Sequence, residues 1–119
     1  MERRVLVIKD ARRTRRQAAT GWTHSERTFL HVISDDAVEA EINQHRYEVV
    51  VVAGGADRVA LLSSLQADHP QTPFVLVTHD RDWREARDAM RAGAADILAE
   101  PLRRRDLLSS IGRLCCNDL

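Results

Sequence analysis

Four consecutive valines, Val49-Val50-Val51-Val52, constrain this chain more than any other feature. Side chains along a β-strand point alternately to opposite faces, so a strand with one wet face alternates apolar and polar residues. A run without alternation offers no face to water and belongs to a strand covered on both sides. Sheets of that kind are mostly parallel, because parallel neighbours are joined by crossovers, usually helices that lie across the sheet.

The rest of the chain has the matching rhythm. Apolar, β-branched runs recur at Arg4 to Ile8, Phe29 to Ser34, Tyr47 to Ala53, Pro73 to Thr78 and Asp96 to Ala99, with amphipathic stretches between them. Asp57 to Ala67 sets Val59, Leu61, Leu62 and Leu65 on one side of a helix. Arg103 to Cys116 does the same with Leu107, Leu108, Ile111, Leu114 and Cys115. Asp36 with Glu39, and Asp82 with Glu85, have capping-box spacing, in which each side chain satisfies a free backbone N–H. Ala53-Gly54-Gly55 and Asp68 to Gln71 are turn material. The first helix, Ala11 to Ala19, is dense in arginine and poor in large apolar residues, and Gly21 to Arg27 reads as a polar connection. Alternating β and α elements over 119 residues, with no repeat or linker, predict one α/β domain spanning 1–119.

Charge narrows the function classes. The formal net charge is zero, so no whole-molecule field draws the chain to nucleic acid or to a membrane surface. No apolar stretch approaches the roughly 20 residues of a membrane span, and no signal peptide precedes the first strand. Cys115 and Cys116 are adjacent, which suits neither a mutual disulfide nor a zinc site, so a reducing, cytoplasmic setting is expected, with the pair serving as packing at a helix end.

Four segments in order bring in a family. Val5-Leu6-Val7-Ile8-Lys9-Asp10 resembles the first strand of response-regulator receiver domains, where two acidic residues close the strand. Tyr47-Glu48-Val49-Val50-Val51-Val52-Ala53 resembles their third strand, Pro73 to Thr78 their fourth, and Ala92 to Pro101 the segment that normally finishes in Lys-Pro. The resemblance implies a flavodoxin-like, doubly wound (βα)5 three-layer sandwich with a parallel sheet of order 2-1-3-4-5.

The same resemblance implies a site whose chemistry has been removed. A working receiver needs a carboxylate to attack phosphorus, a Mg²⁺ held by hard oxygen ligands, and a lysine on the transferred group. Here the position matching the acceptor aspartate is Ala53, the first acidic position is Lys9, and the lysine position is Glu100, ahead of Pro101. Asp10 and Thr78 keep their usual types. Three carboxylates and a lysine give an ordinary site a formal charge of about −2, which suits a divalent cation. Lys9, Asp10 and Glu100 sum to −1 with a cation already present. Lysine on the first strand and acid on the fifth look like a swap, so Lys9 either bridges Glu100, Asp10 or both, or simply reaches solvent. Ile97 replaces the aromatic residue that receivers couple to the fourth-strand hydroxyl. No metal, cofactor or catalytic residue is expected.

Other constellations stay open in two senses each. His79 and Asp80 are either ligand-binding or plain loop polarity; Asp57 is either a substitute acceptor or, more simply, a helix cap. Gly54-Gly55 lacks the lysine and hydroxyl of a phosphate loop. The resemblance also implies a dimer face on the fourth helix, fifth strand and fifth helix, where Asp82, Glu85 and Asp88 facing Arg103, Arg104 and Arg105 would make a self-complementary patch, with a solvated basic surface as the alternative. The reading is a receiver-like, phosphorylation-independent regulatory module that binds protein partners, either a second copy or an attached output domain. The alternative is a small-ligand or nucleotide sensor using the cleft at the strand ends.

Overall fold

The computed structural model describes residues 3–10, 22–25, 28–55, 57–79 and 82–115. The strands are β1 (Arg3–Lys9), β2 (Trp22–Ser25), β3 (Thr28–Ser34), β4 (Val49–Val52), β5 (Phe74–Thr78) and β6 (Asp96–Ala99). The helices are α1 (Val38–Gln44), α2 (Arg58–Asp68), α3 (Trp83–Arg91) and α4 (Arg104–Cys115). The sheet order is β2-β3-β1-β4-β5-β6. All neighbours are parallel except β2, which runs antiparallel on the outer edge of β3. The five parallel strands therefore follow the expected 2-1-3-4-5 order.

The valine run explains the layering. Val49 to Val52 are all completely buried, and they divide by parity. Val50 and Val52 join Leu6, Ile8, Phe74 and Leu76 in a core with Val38 and Ile42 of α1, Leu62 and Leu65 of α2, and Ala89 of α3. Val49 and Val51 join Val5, Val7, Val75 and Val77 in a second core closed by Leu107 and Ile111 of α4. Burying one such side chain is worth about 1.5–3 kcal/mol, so a polar residue anywhere in the run would cost one layer its contacts. The α4 stripe lies as expected, with Leu114 and Cys115 packed at the margin of the second core.

The caps hold in two places and fail in one. Asp57 Oδ1 accepts from Ala60 N at 3.0 Å, so Asp57 is a helix cap. Asp82 Oδ1 accepts from Glu85 N at 3.0 Å. The Asp36–Glu39 box does not form. A 3-10 turn at Asp35–Ala37 precedes α1, whose N-cap is Ala37 with no side-chain bond, and the Ser34 hydroxyl donates to Asp36. The turn displaces the helix start past the aspartate.

The connection expected over Gly21 to Arg27 is corrected too. Residues 22–25 form an edge strand, with Ser25 opposite Thr28. Its sequence, Trp-Thr-His-Ser, has neither apolar alternation nor an apolar run, and pairing to the open backbone edge of β3 supplies what composition does not signal. The predicted helix at Ala11 to Ala19 lies outside the described residues, as do Asp80 and Cys116. Tyr47 stands ahead of β4 rather than in it, buried, its hydroxyl donating to Glu41 Oε1 at 2.6 Å. No helix among the described residues is long and apolar enough to cross a membrane.

Candidate functional site

The C-terminal ends of the parallel strands gather the anticipated residues along one edge. Lys9 ends β1 and Asp10 follows it; Ala53 and Gly54 follow β4; Thr78 ends β5; Glu100 and Pro101 follow β6. Two backbone bonds hold these ends in register: Ala53 N donates to Ile8 O at 2.8 Å, and Glu100 N to Thr78 O at 3.0 Å. Gly54 is required by closeness. A Cβ there would stand 2.1 Å from Asp10 N and 2.7 Å from the Lys9 carbonyl carbon, so the β4 loop lies directly on the end of β1. Glu100–Pro101 is a cis peptide.

Within this edge lies the buried side chain of Arg58, which motif spacing did not single out. It is the first residue of α2 and only 5% exposed. Its Nη1 donates to the carbonyl of Val77 at 2.6 Å and to Glu100 Oε1 at 3.2 Å. The guanidinium thus ties the first turn of α2 to β5 and to the segment after β6. Its Nε is buried without a hydrogen-bond partner among the described residues. One sequence signal was available: a cation in the first turn of a helix opposes the helix dipole, so an arginine there needs another reason.

This placement changes the charge picture. The cation now seen against Glu100 is Arg58, where the sequence offered Lys9. Lys9 and Arg58 balance Asp10 and Glu100, and Asp35, beside Gly55 on the same edge, brings the formal sum to −1. A divalent ion entering here would meet two resident cations. Like charges about 4 Å apart repel by about 4 kcal/mol at an effective dielectric near 20. Thr78 is buried, and its hydroxyl donates to Leu98 O at 3.4 Å, toward the neighbouring strand. Ile97, opposite Leu76, packs half-buried against the core under α1 to α3.

The family model described as flagellar regulatory protein FleQ matches residues 4–115. The chain belongs to this FleQ family. The FleQ-family chain is 28% identical over 116 residues to response regulator protein FleR of Pseudomonas aeruginosa, covering 95% of itself and 24% of FleR. It therefore spans about a quarter of the length of that relative. Among solved structures, FixJ-N superposes with a TM-score of 0.74 at 21% identity, over 100% of this chain and 98% of that one. The receiver domain of NtrX from Brucella abortus gives 0.70 at 21% identity, over 96% and 99%. At that identity the solved structures speak for the fold; with the family match, the FleQ-family chain is a receiver-like signal-transduction domain.

The residues of the expected dimer patch of this FleQ-family domain lie in and just ahead of α3 and at the start of α4. Asp82, Glu85 and Asp88 line an open groove of about 580 Å³ between α2 and α3, together with Asp57 and Ser63. Glu85 is moreover engaged: its Oε1 accepts from His79 N at 2.8 Å and lies 3.1 Å from His79 Nδ1. Arg103, Arg104 and Arg105 are exposed, Arg103 just ahead of α4 and the other two in its first turn. The helix rotation decides this: residues at 85, 88 and 92 turn toward α2 once Ala89 is seated on the sheet. His79, Asp82 and Glu85 offer an imidazole nitrogen and two carboxylates within 4.8 Å of one another. Hydrogen bonds that close the β5–α3 turn already account for that grouping.

Proposed function

We propose that this FleQ-family receiver domain is a pseudo-receiver, a regulatory module that acts without phosphorylation and without catalysis. One relationship carries the reading. The residue after β4, where receivers carry the acceptor carboxylate, is Ala53, while the guanidinium of Arg58 sits on Glu100 where receivers carry a lysine. A methyl group forms no acyl phosphate. The cleft is already furnished with its own cation and its own anion, so neither Mg²⁺ nor a phosphoryl group is needed to hold β5, β6 and α2 together. Lys9, Asp10, Thr78 and Pro101 complete this degenerate site, and Ile97 leaves it without an aromatic switch.

A module of this kind works through partners, in a cytoplasmic setting. The length of FleR relative to this chain supports an attached output domain as the first of them. Because Asp82, Glu85 and Asp88 face the groove against α2, a two-fold contact pairing them with Arg103, Arg104 and Arg105 loses one half of its charge match. We therefore favour a different protein over a second copy, with no direct role in binding nucleic acid or membrane.

The test is direct. Incubation with Mg²⁺ and acetyl phosphate, followed by intact-mass analysis, should leave the mass unchanged. A stable phosphorylated species, with the phosphate mapped to any residue of this edge, would overturn the reading.

A further inference from the structure

Hydrogen bonds gather His79, Asp82 and Glu85 at the turn into α3, yet they leave the charge there unbalanced. Glu85 Oε1 accepts from His79 N at 2.8 Å, and Asp82 Oδ1 accepts from Glu85 N at 3.0 Å. Each carboxylate is thereby oriented by a backbone N–H and keeps lone pairs to give. The Glu85 side chain is only 14% exposed. Among the described residues, no lysine or arginine nitrogen comes within 4.0 Å of the Asp82 or Glu85 carboxylate. Arg84 lines the same groove, but its guanidinium carbon stands 5.5 Å from the Trp83 ring centre. Arg87 Nε lies 3.5 Å from Asp88 Oδ1 instead. Asp57, Asp82, Glu85 and Asp88 set against Arg84 give the groove lining a formal charge of −3.

We infer that His79, Asp82 and Glu85 form a binding site for a divalent transition-metal ion, Zn²⁺ above all. An imidazole nitrogen and one oxygen from each carboxylate lie within 4.8 Å of one another. Zinc bonds of about 2.0–2.2 Å put tetrahedral ligand atoms roughly 3.4 Å apart. His79 Nδ1 and Glu85 Oε1 already stand at 3.1 Å, so the closure needed falls on Asp82. With the metal on Nδ1, the imidazole proton sits on Nε2. The two carboxylates match the charge of the ion, and the open groove leaves water the fourth position. A mixed nitrogen and oxygen set suits Zn²⁺, whereas Mg²⁺ prefers an octahedron of oxygens. The set shares nothing with Asp10 or Ala53 at the ends of β1 and β4, so the inference is independent of whether the strand-end edge is phosphorylated. In the sequence His79 pairs most readily with its neighbour Asp80; only the turn into α3 brings it to Asp82 and Glu85.

The experiment is calorimetric titration of Zn²⁺ into the full chain, in buffer containing millimolar Mg²⁺. One ion should bind. His79→Ala and Asp82→Asn should each weaken binding by about tenfold or more, since losing even an outer partner of a metal ligand costs roughly 10–100-fold. Asparagine is as good a helix cap as aspartate, so Asp82→Asn tests the ligand and spares the helix. His45→Ala and Cys115→Ser, which remove metal-seeking groups elsewhere, should leave binding unaltered. Zn²⁺ should also raise the melting temperature of the wild type and not that of His79→Ala, with circular dichroism melts of the metal-free proteins reporting that the fold is kept. Absence of Zn²⁺ binding, variants that bind like the wild type, or equal occupancy by Mg²⁺ would overturn the proposal. So would loss of binding in His45→Ala or Cys115→Ser, which assigns the metal to another site.

Discussion

Arg58 Nη1 lies 3.2 Å from Glu100 Oε1, joining the first turn of α2 to the segment that follows β6 across 42 residues of sequence. The arginine is almost wholly buried and the glutamate is 24% exposed, so the pair is a partly desolvated contact rather than a surface one. Such a pair responds unevenly to mutation, because deleting the carboxylate strands a buried guanidinium, whereas replacing the arginine strands a carboxylate that still reaches solvent and costs the bond to Val77 O.

Glu100→Ala should therefore lower stability by about 2–3 kcal/mol, somewhat below the full cost of breaking a buried pair because the carboxylate retains solvent. Arg58→Met should cost less than Glu100→Ala, since the methionine removes the buried charge and fills much of its space. Urea denaturation of the three proteins checks the order, and equal midpoints for Glu100→Ala and wild type would mean the contact contributes nothing.

Ala53→Asp restores a carboxylate to the end of β4 but leaves Lys9 and Arg58 in place. It should take up no phosphate from acetyl phosphate and Mg²⁺ on intact-mass analysis. The combination Lys9→Asp, Ala53→Asp and Glu100→Lys, which reinstates the ordinary charge pattern, should take up more than the single variant.

Gly54→Ala places a methyl group where Asp10 N already stands 2.1 Å from the added atom. Backbone cannot rotate aside as a side chain can, so β1 and β4 must separate at their ends. The expected loss is about 3 kcal/mol by chemical denaturation. Gly112, with nothing within 4 Å of its added Cβ, is the control: Gly112→Ala should be neutral or mildly stabilising through helix propensity.

Burial, reinforced by the hydrogen bond to Glu41, raises the pKa of Tyr47 well above its ordinary value of 10.0. The unfolded chain loses this phenolic proton first, so the folded state binds more protons above that pH and stability falls as pH rises. Below the ordinary value the contribution is complete. Tyr47→Phe should flatten the part of the stability profile above about pH 10 that belongs to this group, while losing the neutral-pH contribution of its bond to Glu41. Denaturation midpoints at pH 7 to 11 for both proteins measure it.

The alternation of elements, the burial of β4 on both faces and the Asp57 and Asp82 caps were legible in the amino-acid sequence, because each depends on backbone periodicity and on neighbours within a few residues. Which residues end the strands, Lys9, Ala53, Thr78 and Glu100, came from the resemblance of four segments to receiver domains, which places those positions on one edge. What tertiary structure decided is how distant groups meet. That Arg58 takes Glu100, that residues 22–25 complete the edge of β3, and that Asp82, Glu85 and Asp88 turn toward α2 all follow from strand order and helix rotation. A helix turned by one residue swings each side chain through 100°, and no local pattern in α3 records which neighbour its acidic flank will face.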